Sequence, residues 1–302
     1  MGLPPRRFLV PASLGGRRLD QALAELMPEY SRSRIQSWIE AGRVTVEGAR
    51  ARAKQKVWPG THIDVAPLLH PSEVQAEPEA MALPIVYEDT TLLVLDKPAG
   101  LVVHPGSGNW RGTLMNVLLH HAPELAQVPR AGIVHRLDKD TSGLMVVAKT
   151  VQAQTDLVRQ LAARSVRRVY LAIVEGRLTE GGTVQAPIGR HPRERTKMAV
   201  VERGKPAVTH YRVLEILPRH TLVECRLETG RTHQIRVHMQ ALGHPLVGDP
   251  VYGSRQGRSL FQRQALHATE LALIHPASRE PMRWRAPLPA DLVQLLSRLR
   301  AS

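Results

Sequence analysis

The chain has 302 residues, with 41 lysines and arginines against 27 acids, a formal charge of +14 and a pI near 10.8. That length allows one to three domains, and the charge points to a polyanionic partner, because neutralising phosphates releases counterions. A lone cysteine, Cys225, excludes an internal disulfide and a cysteine-cage zinc site. The N-terminus has no signal-peptide core and no apolar run approaches the roughly 18 residues that span a bilayer, so a soluble cytoplasmic protein is expected.

The charge is carried by 34 arginines and only 7 lysines. A guanidinium grips phosphate in a fixed fork and stacks on bases, which an ammonium does not. Residues 17–66 read as a small basic module. Leu19, Ala22, Leu23 and Leu26 recur at helical spacing up to Pro28, and Ile35, Trp38 and Ile39 give a second short helix that stops at Gly42. Arg43 to Gly48 alternates like a strand entering a tight turn, and Thr61 to Val65 reads as its return. Arg32, Arg34 and Arg43 are left for an exposed, RNA-facing surface. The segments Arg18 to Leu23 and Ser31 to Gly48 resemble the S4 type of RNA-binding domain along its whole length.

Residues 67–84, with prolines 67, 71, 78 and 84 and three glutamates, read as an extended acidic linker. Residues 85–302 then alternate strand-like and helical runs. Strands are expected at 85–87, 91–96, 101–104, 143–149, 168–174, 208–216 and 221–228, and helices at about 113–121, 151–163, 233–242 and 290–300. Strands outnumber helices and connect through short turns. The expected class is α+β, a mainly antiparallel mixed sheet with flanking helices.

Between two apolar runs lies Gly132-Ile-Val-His-Arg-Leu-Asp-Lys-Asp-Thr-Ser-Gly143. It hangs Asp138 in a polar turn that a rigid scaffold would hold in place. By spacing alone, a solvated turn with local hydrogen bonds fits as well. Phosphate-cradling and dinucleotide glycine motifs are absent, as is the zinc-deaminase signature, and the histidines do not cluster at ligand spacing. What remains is a reaction that one carboxylate can run on RNA without metal or coenzyme, such as breaking and remaking a glycosidic bond.

His135 to Gly143, Arg168 to Ala172 and Thr229-Gly-Arg-Thr-His-Gln-Ile-Arg-Val-His238 resemble the motifs of the RluA family of RNA pseudouridine synthases. Gly189 to Val200, Gly204 to Tyr211 and Phe261 to Ala268 are most similar to the D type within that family. The resemblance implies isomerisation of uridine to pseudouridine in 23S rRNA, in the helix 69 stem-loop, on free RNA or a large ribosomal subunit precursor, by a monomer. It implies that Asp138 is the essential carboxylate, as nucleophile at the sugar or as base, and that Arg236 pairs with it. Tyr170 would stack on the target base. Arg136 would enter the space left by the flipped uridine or make a plain phosphate contact, and Arg231 would face RNA from a helix, rotated away from Arg236. A C-type synthase with other 23S targets, a non-catalytic rRNA assembly factor and a carboxylate-dependent hydrolase of free nucleosides are the competing readings.

Overall fold

A computed structural model describes residues 5–28, 30, 32–67, 77–106, 109–194 and 196–301. The chain divides into two compact units, Met1–Gln75 and Ala76–Ser302.

In the first unit a strand, β1 (Arg6–Leu9), precedes two helices, α1 (Leu19–Leu26) and α2 (Arg32–Glu40), followed by β2 (Val44–Val46), β3 (Ala49–Arg50) and β4 (His62–Val65). The strands form an antiparallel sheet in the order β1-β4-β2-β3. Leu19, Leu23, Ile35, Trp38, Ile39, Val44 and Ile63 meet in one buried cluster, as the helical and alternating spacings require. Asp20 ties the two helices together. It is fully buried and accepts hydrogen bonds from Arg18, Arg32 and Gln36. Burial alone would raise its pKa, but these donors hold it below the ordinary carboxylate range.

The second unit is a nine-stranded mixed sheet with helices on both faces. In chain order its elements are β5 (Ile85–Glu88), β6 (Leu92–Lys97), α3 (Leu114–His121), β7 (Ser142–Ala148), α4 (Val151–Ala162), β8 (Arg167–Glu175), β9 (Gly182–Gln185), β10 (Ile188–Arg190), β11 (Met198–Val200), β12 (Val208–Ile216), β13 (His220–Leu227), α5 (Gln234–Ala241), α6 (Arg255–Leu260), β14 (Leu266–Ile274), β15 (Pro281–Arg285) and α7 (Ala290–Ala301). The sheet runs β5-β6-β7-β14-β8-β13-β12-β9, with β15 also on β14, while β10 and β11 form a separate ribbon. Every named pairing is antiparallel except β7 with β14. One face packs Leu93, Leu95, Met145, Val147, Tyr170 and Cys225 against α3 and α5. On the other face, Val146 and Leu271 pack with Leu157 of α4, and Ile173 and Leu222 with Leu295 of α7.

The β7–β14 junction shapes the site. β7 pairs with β14 only through Ser142–His267 and Gly143–Ala268, after which β15 takes over that edge. The backbones come so close that a Cβ on Gly143, whose φ is +117°, would overlap the Ala268 carbonyl and amide. No other residue fits there.

The structure departs from the sequence expectations in several places. Residues 101–104 are not a strand, and only Val102 bridges to Thr113. The chain instead curls round the fully buried amine of Lys97, which donates to the carbonyls of Pro98, Leu101 and Lys139. Within the expected linker, residues 77–84 pack on the second unit: Asn116 donates to the Glu77 carbonyl at 2.8 Å, Gly112 N–H to Glu79 at 2.9 Å, and Leu83 joins the core. The remainder, 68–76, lies outside the described residues. β1, β9, β10, β11, β14, β15 and α6 were not expected at all.

Candidate active site

Asp138 sits in a loop whose backbone is held from several directions. Its own carbonyl accepts Thr141 N–H at 3.1 Å, closing the turn that the Asp and Thr spacing favours. The next carbonyl, of Lys139, accepts from Lys97 Nζ and from Gly100 N–H, both at 2.9 Å. Arg263 donates to the Asp140 carbonyl at 3.0 Å, and Gln264 to Thr141 Oγ1 at 3.1 Å. His135 accepts Val146 N–H at 3.1 Å through Nε2, which fixes a neutral imidazole with its proton on Nδ1. Together these bonds fix the backbone from which the Asp138 side chain projects.

The side chain meets its partner from α5. Arg236 Nη1 donates to Asp138 Oδ2 at 3.0 Å, while Nε and Nη2 grip both oxygens of Asp249 at 2.6 and 2.8 Å. Arg236 is 4% exposed in its side chain and Asp249 not at all, so these two form a buried ion pair to which the partly exposed Asp138 is joined. Burial opposes the guanidinium charge, but Asp249 and then Asp138 outweigh it and raise its pKa further. Asp249 is lowered in turn, since Arg236 and the amides of Val251 and Tyr252 overcome its burial. The second oxygen of Asp138, Oδ1, has no hydrogen bond among the described residues and lies 3.9 Å from His233 Nε2.

A cleft of about 510 Å³ opens beside this pair. Its wall includes Asp138, Tyr170, Ile235 and Leu266, with Arg130, Arg136, Arg164, Arg168, Arg231 and Arg236 set, among the described residues, against only Asp138 and Glu228. Such a concave, low-dielectric site with one sign of charge concentrates an anionic ligand. Tyr170 is buried on β8, and burial, opposed by Arg168 and aided by Asp138, raises its hydroxyl above the ordinary value. Arg136 is exposed at the rim.

The structure therefore brings Asp138, Arg236, Tyr170, Arg136 and Arg231 to one cleft. Arg231 is not on a helix, because α5 begins only at Gln234; it lies in the preceding turn, its Nε donating to the Pro206 carbonyl at 3.1 Å. Arg43 is exposed on the other unit. Arg32 is committed in part to Asp20, and Arg34 lies over the rings of Tyr30 and Trp38. Asp249, Tyr252, His233, Lys97 and Arg263 escaped the sequence reading. Only Asp249 has a local signal, in the turn-forming Gly248-Asp-Pro after an apolar pair.

Burial is the leading cause that pushes His135 down to about 3 and His104 and His267 to about 4. Each is thus neutral in the folded protein at pH values where the unfolded chain, near 6.5, already binds a proton. The stability these three histidines contribute should be full above about pH 6.5 and fall continuously as the pH drops toward 4. Urea unfolding midpoints at pH 7 and pH 5 measure this; an unchanged midpoint would contradict it.

A family model described as RNA pseudouridylate synthase matches residues 91–241, and one described as S4 domain matches residues 17–63. These matches define an RNA-modifying isomerase with an S4 domain. The chain is 58% identical over 298 residues to the ribosomal large subunit pseudouridine synthase D of Nitrosomonas europaea, covering 96% of this chain and 87% of that one. It is 57% identical to the protein of the same description from Pseudomonas aeruginosa, covering 96% and 94%. Among solved structures, human RNA pseudouridylate synthase domain containing 1 superposes with a TM-score of 0.57 at 32% identity, over 75% of this chain and 98% of that chain. The chain belongs to the RNA pseudouridylate synthase family. Among the described residues no helix is long and apolar enough to cross a membrane.

Proposed function

We propose that this protein isomerises uridines of 23S rRNA, in the helix 69 stem-loop, to pseudouridine during large-subunit maturation in the cytoplasm, with Asp138 as the acting carboxylate. The observation that carries the reading is the carboxylate itself: Oδ2 is tied to Arg236 while Oδ1 is unengaged at the wall of an arginine-lined cleft. Uracil leaves C1′ through N1, turns while bound, and reattaches through C5; the C5 proton is released and N1 gains one. The proton gained at N1 balances the one lost from C5, so no net atom or electron is supplied from outside. Tyr170 offers the flipped base a stacking surface beside Asp138. Arg136, two residues from Asp138 and exposed, can occupy the gap in the RNA stack and offset part of the few kcal/mol that extrusion costs.

The D-type relatives support the large subunit as target, and mapping the modified positions tests it. Incubation with large-subunit RNA should place pseudouridine in the helix 69 loop; modification confined to other sites of that RNA would overturn this choice. The basic first unit is assigned to anchoring the RNA. Removing residues 1–66 should weaken binding and reduce the slope of log K against log salt by about 0.9 for each phosphate that is no longer neutralised. The single-turnover rate with saturating RNA should persist. Unchanged affinity would contradict the anchoring role.

A further inference from the structure

His233 occupies a strained position beside Asp138. It is the residue before α5 and has φ 57° and ψ 23°, a left-handed conformation that is strained for a side-chain-bearing residue. The turn is over-determined by Gln234. Its Oε1 accepts from Thr229 Oγ1 and Arg231 N–H, and its Nε2 donates to the Val208 carbonyl and Thr209 Oγ1. Backbone strain held in place this firmly is characteristic of functional sites.

The imidazole is also oriented. Its Nδ1 lies 2.8 Å from the Tyr252 hydroxyl, which already accepts Met198 N–H at 2.9 Å. The phenol's own hydrogen can then go to His233 Nδ1, in the arrangement that puts the imidazole proton on Nε2. The opposite tautomer would aim a lone pair at the Asp138 carboxylate. The charged groups facing this ring are Asp138, Arg236, Asp249 and Arg136. Burial, helped by the two arginines and opposed by the two carboxylates, keeps the ring below its ordinary pKa and neutral at pH 7.

Among the described residues, the Asp138 carboxylate is hydrogen-bonded on one side only. A single bond from Arg236 Nη1 to Oδ2 leaves it free to swing about its own axis. His233 Nε2 is 3.9 Å from Oδ1, too long for a hydrogen bond as the protein stands. Catalytic hydrogen bonds are often long without substrate and tighten in its presence. We infer that His233 is a positioning residue for Asp138: a neutral donor, fixed in one tautomer by Tyr252, that closes on Oδ1 when the cleft fills and sets the carboxylate plane from the side opposite Arg236. The inference rests on the reading of Asp138 as the acting carboxylate.

Two measurements on the full-length protein test it. With 15N-labelled histidine, the His233 signals, identified by their loss in His233→Asn, should report a neutral ring protonated on Nε2 between pH 6 and 8, and Tyr252→Phe should turn this into a mixture of tautomers. Asparagine tolerates the left-handed backbone, so His233→Asn removes the imidazole without disturbing the turn. Its single-turnover release of tritium from C5-labelled rRNA should be about 10- to 100-fold slower with RNA affinity unchanged. A cationic or Nδ1-protonated ring at pH 7, or an unaltered rate in His233→Asn, would overturn the inference. Failure of the functional reading is distinguishable, because the wild type itself would then release no tritium, whatever the tautomer.

Discussion

Asp138→Asn is expected to reduce turnover by at least about 10⁴-fold while leaving rRNA affinity within about tenfold of wild type. The amide is nearly the same shape, and its oxygen can still accept from Arg236 Nη1, so the loop bonds through Lys97, Arg263 and Gln264 stay in place. What disappears is the negative charge, and with it the ability to attack the sugar or take its proton. Affinity survives because arginines contacting phosphate supply most of it. The comparison is made by single-turnover kinetics beside a direct binding isotherm. A folded Asp138→Asn protein that has lost binding, or that still turns over, would remove the role assigned to this residue.

Arg236→Met should do two separable things. It leaves Asp249 charged at a site with no solvent exposure, and breaking a buried pair in that way costs about 3–5 kcal/mol. It also removes the only hydrogen bond to the Asp138 carboxylate among the described residues, so turnover should fall by about 10²-fold or more even where the protein is folded. The double variant Arg236→Met/Asp249→Asn separates the effects. An amide at 249 carries no charge to bury and can still accept the Val251 and Tyr252 amides at its oxygen. Stability measured by urea unfolding should largely recover while turnover stays low. Recovery of both would show that Arg236 acts on stability alone. Arg236→Lys is not a conservative control, since one ammonium cannot span Asp249 and Asp138 as the planar fork does.

Which features were legible in the sequence follows from how local their causes are. The fully buried β7, Ser142–Ala148, contains the uninterrupted apolar run Leu144 to Ala148, and α4 shows its buried face at Ala153 and Leu157 with Thr150 capping the first turn. Both follow from period and capping alone. β14 follows from neither. Its Leu-His-Ala-Thr-Glu-Leu-Ala-Leu-Ile run is rich in helix-forming residues and places His267 and Glu270 in the middle of the sheet. It is a strand because distant partners make it one: Ser142 bonds His267 at 2.9 Å, and Arg167, Arg283 and Arg285 converge on Glu270. Tertiary context overrode propensity there. β1 was hidden for a related reason, as two arginines in its four residues mask an edge strand that exists by pairing with β4.

The site divides along the same line. Asp138 and the residues near it lie in a dense polar turn that draws attention without any structure, and Arg236 stands in a second such motif. Their meeting spans 98 positions and no local pattern reports it. Resemblance to a family supplied that pairing in advance. The supporting residues were harder to see. Lys97 reads as an ordinary charged residue at a strand end, yet it is wholly buried because three carbonyls curl round its amine. His233 reads as one of 14 histidines, and only its backbone angles and its two neighbours, Tyr252 and Asp138, distinguish it.

The most direct test is to give the wild-type protein large-subunit rRNA tritiated at uridine C5 and to count three products together: released tritium, pseudouridine and free uracil. Tritium released in a one-to-one ratio with pseudouridine, and no free uracil, is the predicted outcome, because the base never leaves the cleft between bond breaking and bond making. Free uracil without pseudouridine, or bound RNA with no tritium released, would contradict the account.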